Sequence, residues 1–298
     1  MAYHIPALLG ESIYGLNIKP DGIYVDVTFG GGGHSMEILK RLTSGRLIAF
    51  DQDDDAILNV PDDKRILFLN QNFRFLKNNL LFNNISSIDG LIADLGVSFH
   101  QFDEPDRGFT FRQDAPLDMR MNKHGKLTAS ILLNTSDEET LADIFYNYGE
   151  FTNSRRIARE IVAAREIKPF KSVNDLVEAV GKMAPFRKEH KFYARIFQSL
   201  RIAVNHEIDY LKEMLGQSLI MLAKGGRLVV ITYHSLEDRI VKNFMKTGNF
   251  EGEERKDFFG NTDSPFRLIT KKGITPGEDE VNANNRSRSA RLRIAEKI

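Results

Sequence analysis

The fold turns on one stretch, Asp26-Val27-Thr28-Phe29-Gly30-Gly31-Gly32-Gly33-His34-Ser35. Residues 23–29 (IYVDVTF) are rich in β-branched and aromatic side chains and predict a buried strand that runs into a glycine turn. Residues 35–42 then place Met36, Ile38, Leu39 and Leu42 at helical spacing, with a stop near Gly45. Glycines between a strand and a helix start let the backbone approach a ligand closely, and a helix N-terminus favours a phosphate or carboxylate. Asp51 closes the next predicted strand, RLIAF at 46–50, where a carboxylate can accept both hydroxyls of a ribose. Strand, glycine loop, helix, strand and acid in this order predict a nucleotide-type ligand held by Gly30, Gly32, Gly33, His34 and Asp51. The bland alternative is a glycine turn beside a solvated acidic run.

Outward from this unit, residues 65–69 and 88–95 predict two more strands, with helical spacing over 73–81 between them. Strands alternating with helices predict an α/β fold with a parallel sheet. The alternation stops at 105–121, a stretch crowded with Arg, Asp, Gly and Pro. From 128 to about 215 every periodic segment predicts helix, with clear examples at 139–148, 154–165, 173–180 and 193–215. The α/β pattern resumes at 226–233 (GRLVVITY) after a Lys-Gly-Gly turn, and 266–270 and 289–294 can close the sheet. The expected organisation is a nucleotide-binding domain in two parts, 1–104 and 206–298, interrupted by a helical insertion at 105–205.

Composition narrows the function classes. With 42% hydrophobic and 28% charged residues the chain is globular rather than disordered. It has no cysteine, which excludes a disulfide framework, a cysteine-ligated metal and a thiol nucleophile, and fits a reducing cytoplasm as the expected location. The first residues lack a secretory pattern and no run of 18 apolar residues occurs, so no membrane span is expected. A net charge of zero hides an uneven distribution. Residues 151–205 carry 12 Lys/Arg against 5 Asp/Glu and residues 281–298 carry 5 against 1, leaving the remainder acidic. A basic middle and tail are compatible with a polyanionic partner, although solvated helix faces would look the same.

The ligand can be narrowed further. A dinucleotide fingerprint needs a glycine where Ser35 stands, and no Walker lysine follows the loop. A ligand with an adenosine and an amino-acid carboxylate but no pyrophosphate fits better, which is S-adenosylmethionine. Phe73 could pack on its adenine face or be ordinary core. Asp94-Leu95-Gly96-Val97-Ser98 ends the fourth strand, at the edge where open sheets bind ligands, so Asp94 is the leading site residue; a helix or turn cap is its alternative. Tyr233-His234-Ser235 follows the fifth strand, with Glu237 and Asp238 close behind. His, Ser and acid suggest a hydrolase, but the nucleophile elbow is missing, so a substrate-pocket rim is the better reading. His-Glu-x-x-His is also missing, and no metal is expected.

Several strings together resemble one family: Tyr3-His4-Ile5-Pro6, the glycine loop, DLGVS at 94–98, RGFTF at 107–111, PLDMRM at 116–121, FQSLRI at 197–202, HSLEDRIVK at 234–242 and RSRSA at 286–290. The chain is similar from end to end to the bacterial small-subunit ribosomal RNA cytosine-N4 methyltransferases, the RsmH or MraW family. The resemblance implies a class I (Rossmann-like) methyltransferase sheet with an all-helical insertion, S-adenosylmethionine as donor, and a cytidine in the decoding centre of 16S ribosomal RNA, position 1402, as target. It implies donor contacts from Gly32, Gly33, His34, Asp51, Phe73, Asp94 and Gln101. Asp94 or a carbonyl near Gly96 is then the candidate acceptor of the N4 hydrogen, His234 or Ser235 the candidate orienter of the base, and Ser98 a further catalytic candidate. The chain departs from the family pattern where Phe99-His100 replace Ser-Pro, Asn285 replaces Pro and Tyr233 replaces Phe. Two other readings stay open: an amino-methyltransferase acting on another nucleic acid, and an RNA-binding assembly factor that uses the donor only structurally. The small ribosomal subunit is the expected partner, and a homo-oligomer is left open.

Overall fold

A computed structural model describes residues 6–254 and 264–298, apart from the Phe99 side chain; Tyr3, His4 and Ile5 of the first family string lie outside the described residues. The predicted strands form as β1 Ile23–Asp26, β2 Arg46–Phe50, β3 Ile66–Leu69, β4 Ile88–Asp94, β5 Leu222–Thr232, β6 Phe266–Leu268 and β7 Arg291–Lys297. Among the described residues they make one seven-stranded sheet in the order β3-β2-β1-β4-β5-β7-β6. β1 to β5 are parallel, and β7 runs antiparallel between β5 and β6. Chain order reverses at β1, whose neighbours are β2 and β4, so the carboxyl ends of β1 and β4 flank the crevice where such sheets bind ligands.

The strands read as continuous apolar runs because both faces of the sheet are covered. Leu47, Ile48, Ala49 and Phe50 on β2 and Leu91, Ile92 and Ala93 on β4 are fully buried. Ile38, Leu39 and Leu42 pack with Leu47, Ile92, Val229 and Ile294 in one apolar cluster. The Lys-Gly-Gly segment is not a turn before β5 but an irregularity within it. The β4–β5 register jumps from Ile88–Leu222 to Gly90–Arg227, and Gly225 takes φ +78° to absorb the extra residues.

The chain divides into two compact units, residues 1–96 with 208–298, and 97–207. The helical unit begins at Val97, earlier than the expected 105, because Ser98 opens a helix, Phe99–Asp103, through a capping box with Gln101. Its own core joins Leu133, Phe145, Ile157, Ile161, Leu176 and Leu200 with their neighbours. The single helix expected over 193–215 is two helices, Glu189–Asn205 and Glu207–Met221, because His206 takes the left-handed conformation at φ +51°. Nothing in the composition around His206 announces the break. Two family strings are absorbed by this unit's architecture. Buried Arg107 donates to the carbonyls of Arg120 and Met121, and Arg120 forks onto Asp118 at 2.8 and 2.6 Å.

Candidate active site

The glycine loop is built by closure onto two carboxylates, Asp26, which is buried, and Asp51, which is half-buried. Asp26, the last residue of β1, accepts from the Thr28 amide at 3.0 Å and from the Ser35 hydroxyl at 2.7 Å, tying the strand end to the following helix, Gly33–Leu39. Asp51 reaches across from the end of β2 and accepts from the amides of Gly30 at 2.7 Å and Asp53 at 2.8 Å. Two glycines are needed for different reasons. Gly32 has φ +78°, and a β-carbon there would also stand 3.0 Å from the Phe29 ring. Gly33 has no room for one because Pro6 would lie 2.2 Å away, which gives Pro6 of the N-terminal string its packing role.

Asp94 ends β4 beside this loop. Its amide donates to the Thr28 hydroxyl at 2.6 Å, and its Oδ1 accepts from the Tyr233 hydroxyl at 2.8 Å. Its other oxygen lies 4.0 Å from His34 Nδ1, beyond hydrogen-bond reach, and the side chain keeps 21% of its exposure. Burial pushes Asp94 up to about 7, with the charges of Asp26 and Glu237 adding to it and the Tyr233 hydrogen bond opposing it. Burial likewise raises Asp26 and Asp51, each to about 6. His34 is lowered by burial to about 4 and is therefore neutral near pH 7. The Tyr233 hydroxyl, raised by burial and by Asp94, stays protonated and is a fixed donor. Among the described residues no Lys or Arg pairs with Asp51 or Asp94. This edge of the sheet thus holds carboxylates that lack a countercharge, a set of acceptors suited to a cationic ligand with hydroxyl groups.

The other predicted residues are placed as follows. Phe73 opens the turn after β3 and is half-buried; Asn72 beside it donates to Gln52 at 2.7 Å, joining the loops after β2 and β3. Ser98 and Gln101 belong to the helical unit. There Ser98 Oγ accepts from the Gln101 amide at 3.2 Å, and Gln101 Oε1 from the Ser98 amide at 3.1 Å. His234 caps the helix Ser235–Thr247, accepting from the Glu237 amide at 3.4 Å, with the Glu237 carboxylate 3.0 Å from its Nε2. The geometry gives His234 a structural task, while Ser235 is exposed at the helix start. The sequence placed Tyr233 in the string at the pocket rim and as a departure from the family pattern, without joining it to Asp94. Its place at the end of β5, the strand paired with β4, was the signal that could have joined it to Asp94.

The basic tail is partly spent inside the fold. Arg293 forks onto Asp238 at 2.7 and 2.9 Å, and Lys297 donates to the Leu222 carbonyl. In the basic middle segment Arg165 and Arg195 likewise donate to backbone carbonyls. Arg155, Arg156 and Arg159 remain exposed along the helix Ser154–Ile167.

The strand order, the glycine loop after β1, the acid after β2 and the carboxylate ending β4 define a class I, Rossmann-like methyltransferase fold. A family comparison takes this further: the model of the MraW methylase family matches residues 1–298, and the chain belongs to that family. It is 58% identical over 298 residues to the ribosomal RNA small subunit methyltransferase H of Parabacteroides distasonis, covering 99% of this chain and 98% of that protein. It is 54% identical over 299 residues to the protein of the same name from Flavobacterium johnsoniae, covering 100% and 99%. Among solved structures, an rRNA methylase from Streptococcus thermophilus is similar at a TM-score of 0.45 and 12% identity, with 100% of this chain and 99% of that one covered.

Proposed function

We infer that this protein transfers a methyl group from S-adenosylmethionine to the exocyclic N4 of a decoding-centre cytidine in small-subunit ribosomal RNA. The observation that carries this reading is Asp94. It is a carboxylate at the end of β4, beside the glycine loop, with one oxygen fixed by Tyr233 and, among the described residues, no Lys or Arg paired with it. A ligand with an ammonium group supplies the missing charge, and ribose hydroxyls suit Asp51. The relatives' names support small-subunit ribosomal RNA as the acceptor. The choice of cytosine N4 rests on the family strings.

Bound S-adenosylmethionine supplies a methyl group on a sulfonium centre. Asp51 would hold the ribose hydroxyls, Phe73 an adenine face, Asp94 the amino group, and the loop from Gly30 to His34 would give the backbone its close approach. The N4 lone pair of cytosine is delocalised into the ring, so the protein must align it and accept an N4 hydrogen as the methyl arrives. With a pKa of about 7, Asp94 is suited to that proton as well as to the amino group. Because His234 is spent on its helix cap, Ser235 is the better of the two for orienting the base. Exposed Arg155, Arg156 and Arg159 would meet phosphates and position the RNA.

The test is methyl transfer from labelled donor to purified small subunits, with the modified nucleotide located by mass spectrometry. Label on cytosine N4 is expected. Donor binding without transfer would favour an assembly factor, and label on another base would overturn the N4 assignment. Asp94→Asn separates its two roles. A raised donor KM with kcat spared means it holds the amino group, whereas a kcat lower by about 10²–10⁴-fold at saturating donor means it takes the proton.

A further inference from the structure

The segment 182–191 comprises the turn between the helices Val173–Gly181 and Glu189–Asn205 and the first residues of the second helix, and it combines features that the proposed methyl-transfer site does not use. Phe186 is 82% exposed at its tip, with the Arg187 guanidinium 5.3 Å from the ring centroid. Lys182, Arg187, Lys188 and Lys191 are all exposed, against one acid, Glu189, within the segment. None of these four cations is engaged by an ion pair among the described residues. Glu189 instead accepts from the Arg187 amide at 3.0 Å.

The turn is also closed by its own backbone. The amides of Met183, Ala184 and Lys188 donate to the carbonyls of Val180, Gly181 and Pro185 at 2.9–3.0 Å. Met183 and Ala184 pack against the core of the helical unit, and His190 sets its ring edge-on to Phe111 at 4.9 Å. Met183 and Ala184 are thus half-buried against that core, whereas the tip itself, Pro185 to Lys188, is exposed. A polar residue would serve a solvated tip equally well, so the apolar ring amid cations calls for a partner that is flat and anionic. An unpaired nucleotide is both: its base stacks on an aromatic face whatever its identity, and its phosphates meet the flanking cations. A protein partner with an acidic face would suit the lysines but has no general need for an exposed ring carrying a guanidinium beside it.

We propose that this turn is a single-strand RNA contact, in which Phe186 stacks on an unpaired base of the substrate RNA while Lys182, Arg187, Lys188 and Lys191 hold the phosphates on either side. The proposal rests on the reading of the protein as an RNA methyltransferase and adds a second RNA contact, made by the helical unit. It assigns that unit a means of gripping a strand whose bases are unstacked.

The chain has no tryptophan, so Phe186→Trp introduces a single indole reporter at the tip. With full-length protein, emission from Phe186→Trp should be quenched by an unstructured oligoribonucleotide and not by an RNA duplex of the same length, whose bases are already stacked. Phe186→Ala should bind the same oligoribonucleotide roughly 5- to 100-fold more weakly by fluorescence anisotropy, and Phe186→Trp should bind it like wild type. An unchanged thermal midpoint would show that the fold is intact, as expected for an exposed side chain. Equal affinity of wild type and Phe186→Ala would overturn the proposal. So would loss of small-subunit binding in Phe186→Ala without any quenching by the oligoribonucleotide, which would indicate a protein partner. Methyl transfer to small subunits, measured on wild type alongside, keeps the two readings distinguishable. Transfer with a Phe186-independent RNA affinity sinks this proposal alone, and quenching without transfer sinks the methylation reading alone.

Discussion

Replacing Tyr233 by Phe removes one hydroxyl from the end of β5 and isolates the electrostatics of Asp94. In the native protein that hydroxyl donates to Asp94 Oδ1 at 2.8 Å and opposes the rise of the Asp94 pKa, which still reaches about 7. A hydrogen bond to a charged group is worth about 1.5–3 kcal/mol and one pKa unit about 1.36 kcal/mol, so its loss should raise Asp94 by roughly one to two further units. Because the folded pKa lies above the ordinary 3.8, Asp94 favours the folded state at low pH, and that contribution is lost as pH rises from about 4 through about 7. A ligand ammonium group beside the ionised carboxylate offsets the loss, so the donor prefers the deprotonated form. At about pH 7 the ionised fraction falls from roughly half to between about a tenth and a hundredth in Tyr233→Phe, so donor affinity should drop roughly 5- to 50-fold. At about pH 9 the same variant should lag wild type by about twofold or less. Calorimetric titration with S-adenosylmethionine across this range gives the ratio of the two affinities. The ligand's own amino group titrates identically in both experiments and cancels from that ratio. A ratio that does not change with pH would refute the reasoning, and a ratio of one throughout would remove Tyr233 from the site.

Asp51→Ala deprives the amides of Gly30 and Asp53 of their acceptor along with any ribose contact, and should weaken donor binding roughly 10- to 100-fold by calorimetry. Unchanged affinity would place the ribose elsewhere. Gly32→Ala forces a side chain into φ +78° against the Phe29 ring, and should cost about 1–2 kcal/mol, seen as a thermal midpoint lower by a few degrees. Reversing Arg155, Arg156 and Arg159 to Glu together should weaken small-subunit binding and flatten its salt dependence while leaving donor affinity intact, since none of the three lies in the sheet unit. Wild-type subunit binding by that variant would make the helix a solvated face.

The placing of the glycine loop and its two acids at one edge of the sheet was legible in the sequence because its logic is local. A strand running into Gly30–Gly33, an acid at 51 and another at 94 each follow a predicted parallel strand, and parallel strands put their carboxyl ends on one edge. That alone brings the glycine loop, Asp51 and Asp94 to the same crevice. The lock of Ser35 onto Asp26, nine residues apart, was equally open to reading but needed the turn geometry to be recognised. His234 was expected at the pocket rim, and its cap was not legible, because it takes the extended backbone of His234 ahead of its helix to turn the imidazole onto the Glu237 amide.

What the sequence determined by itself is the α/β alternation, the glycine loop with its two acids, and the helical insertion, because each is encoded by periodicity and turn residues within a few neighbours. What only the tertiary structure decided involves partners far apart along the chain. Tyr233 donates to Asp94 across 139 positions, and Arg293 is drawn out of an apparently basic tail to pair with Asp238 across 55. No local pattern specifies such pairs. They exist because strands β4, β5 and β7, distant in sequence, lie side by side and the helix Ser235–Thr247 packs against β7, so that burial leaves each polar group with the neighbour it finds there as its partner.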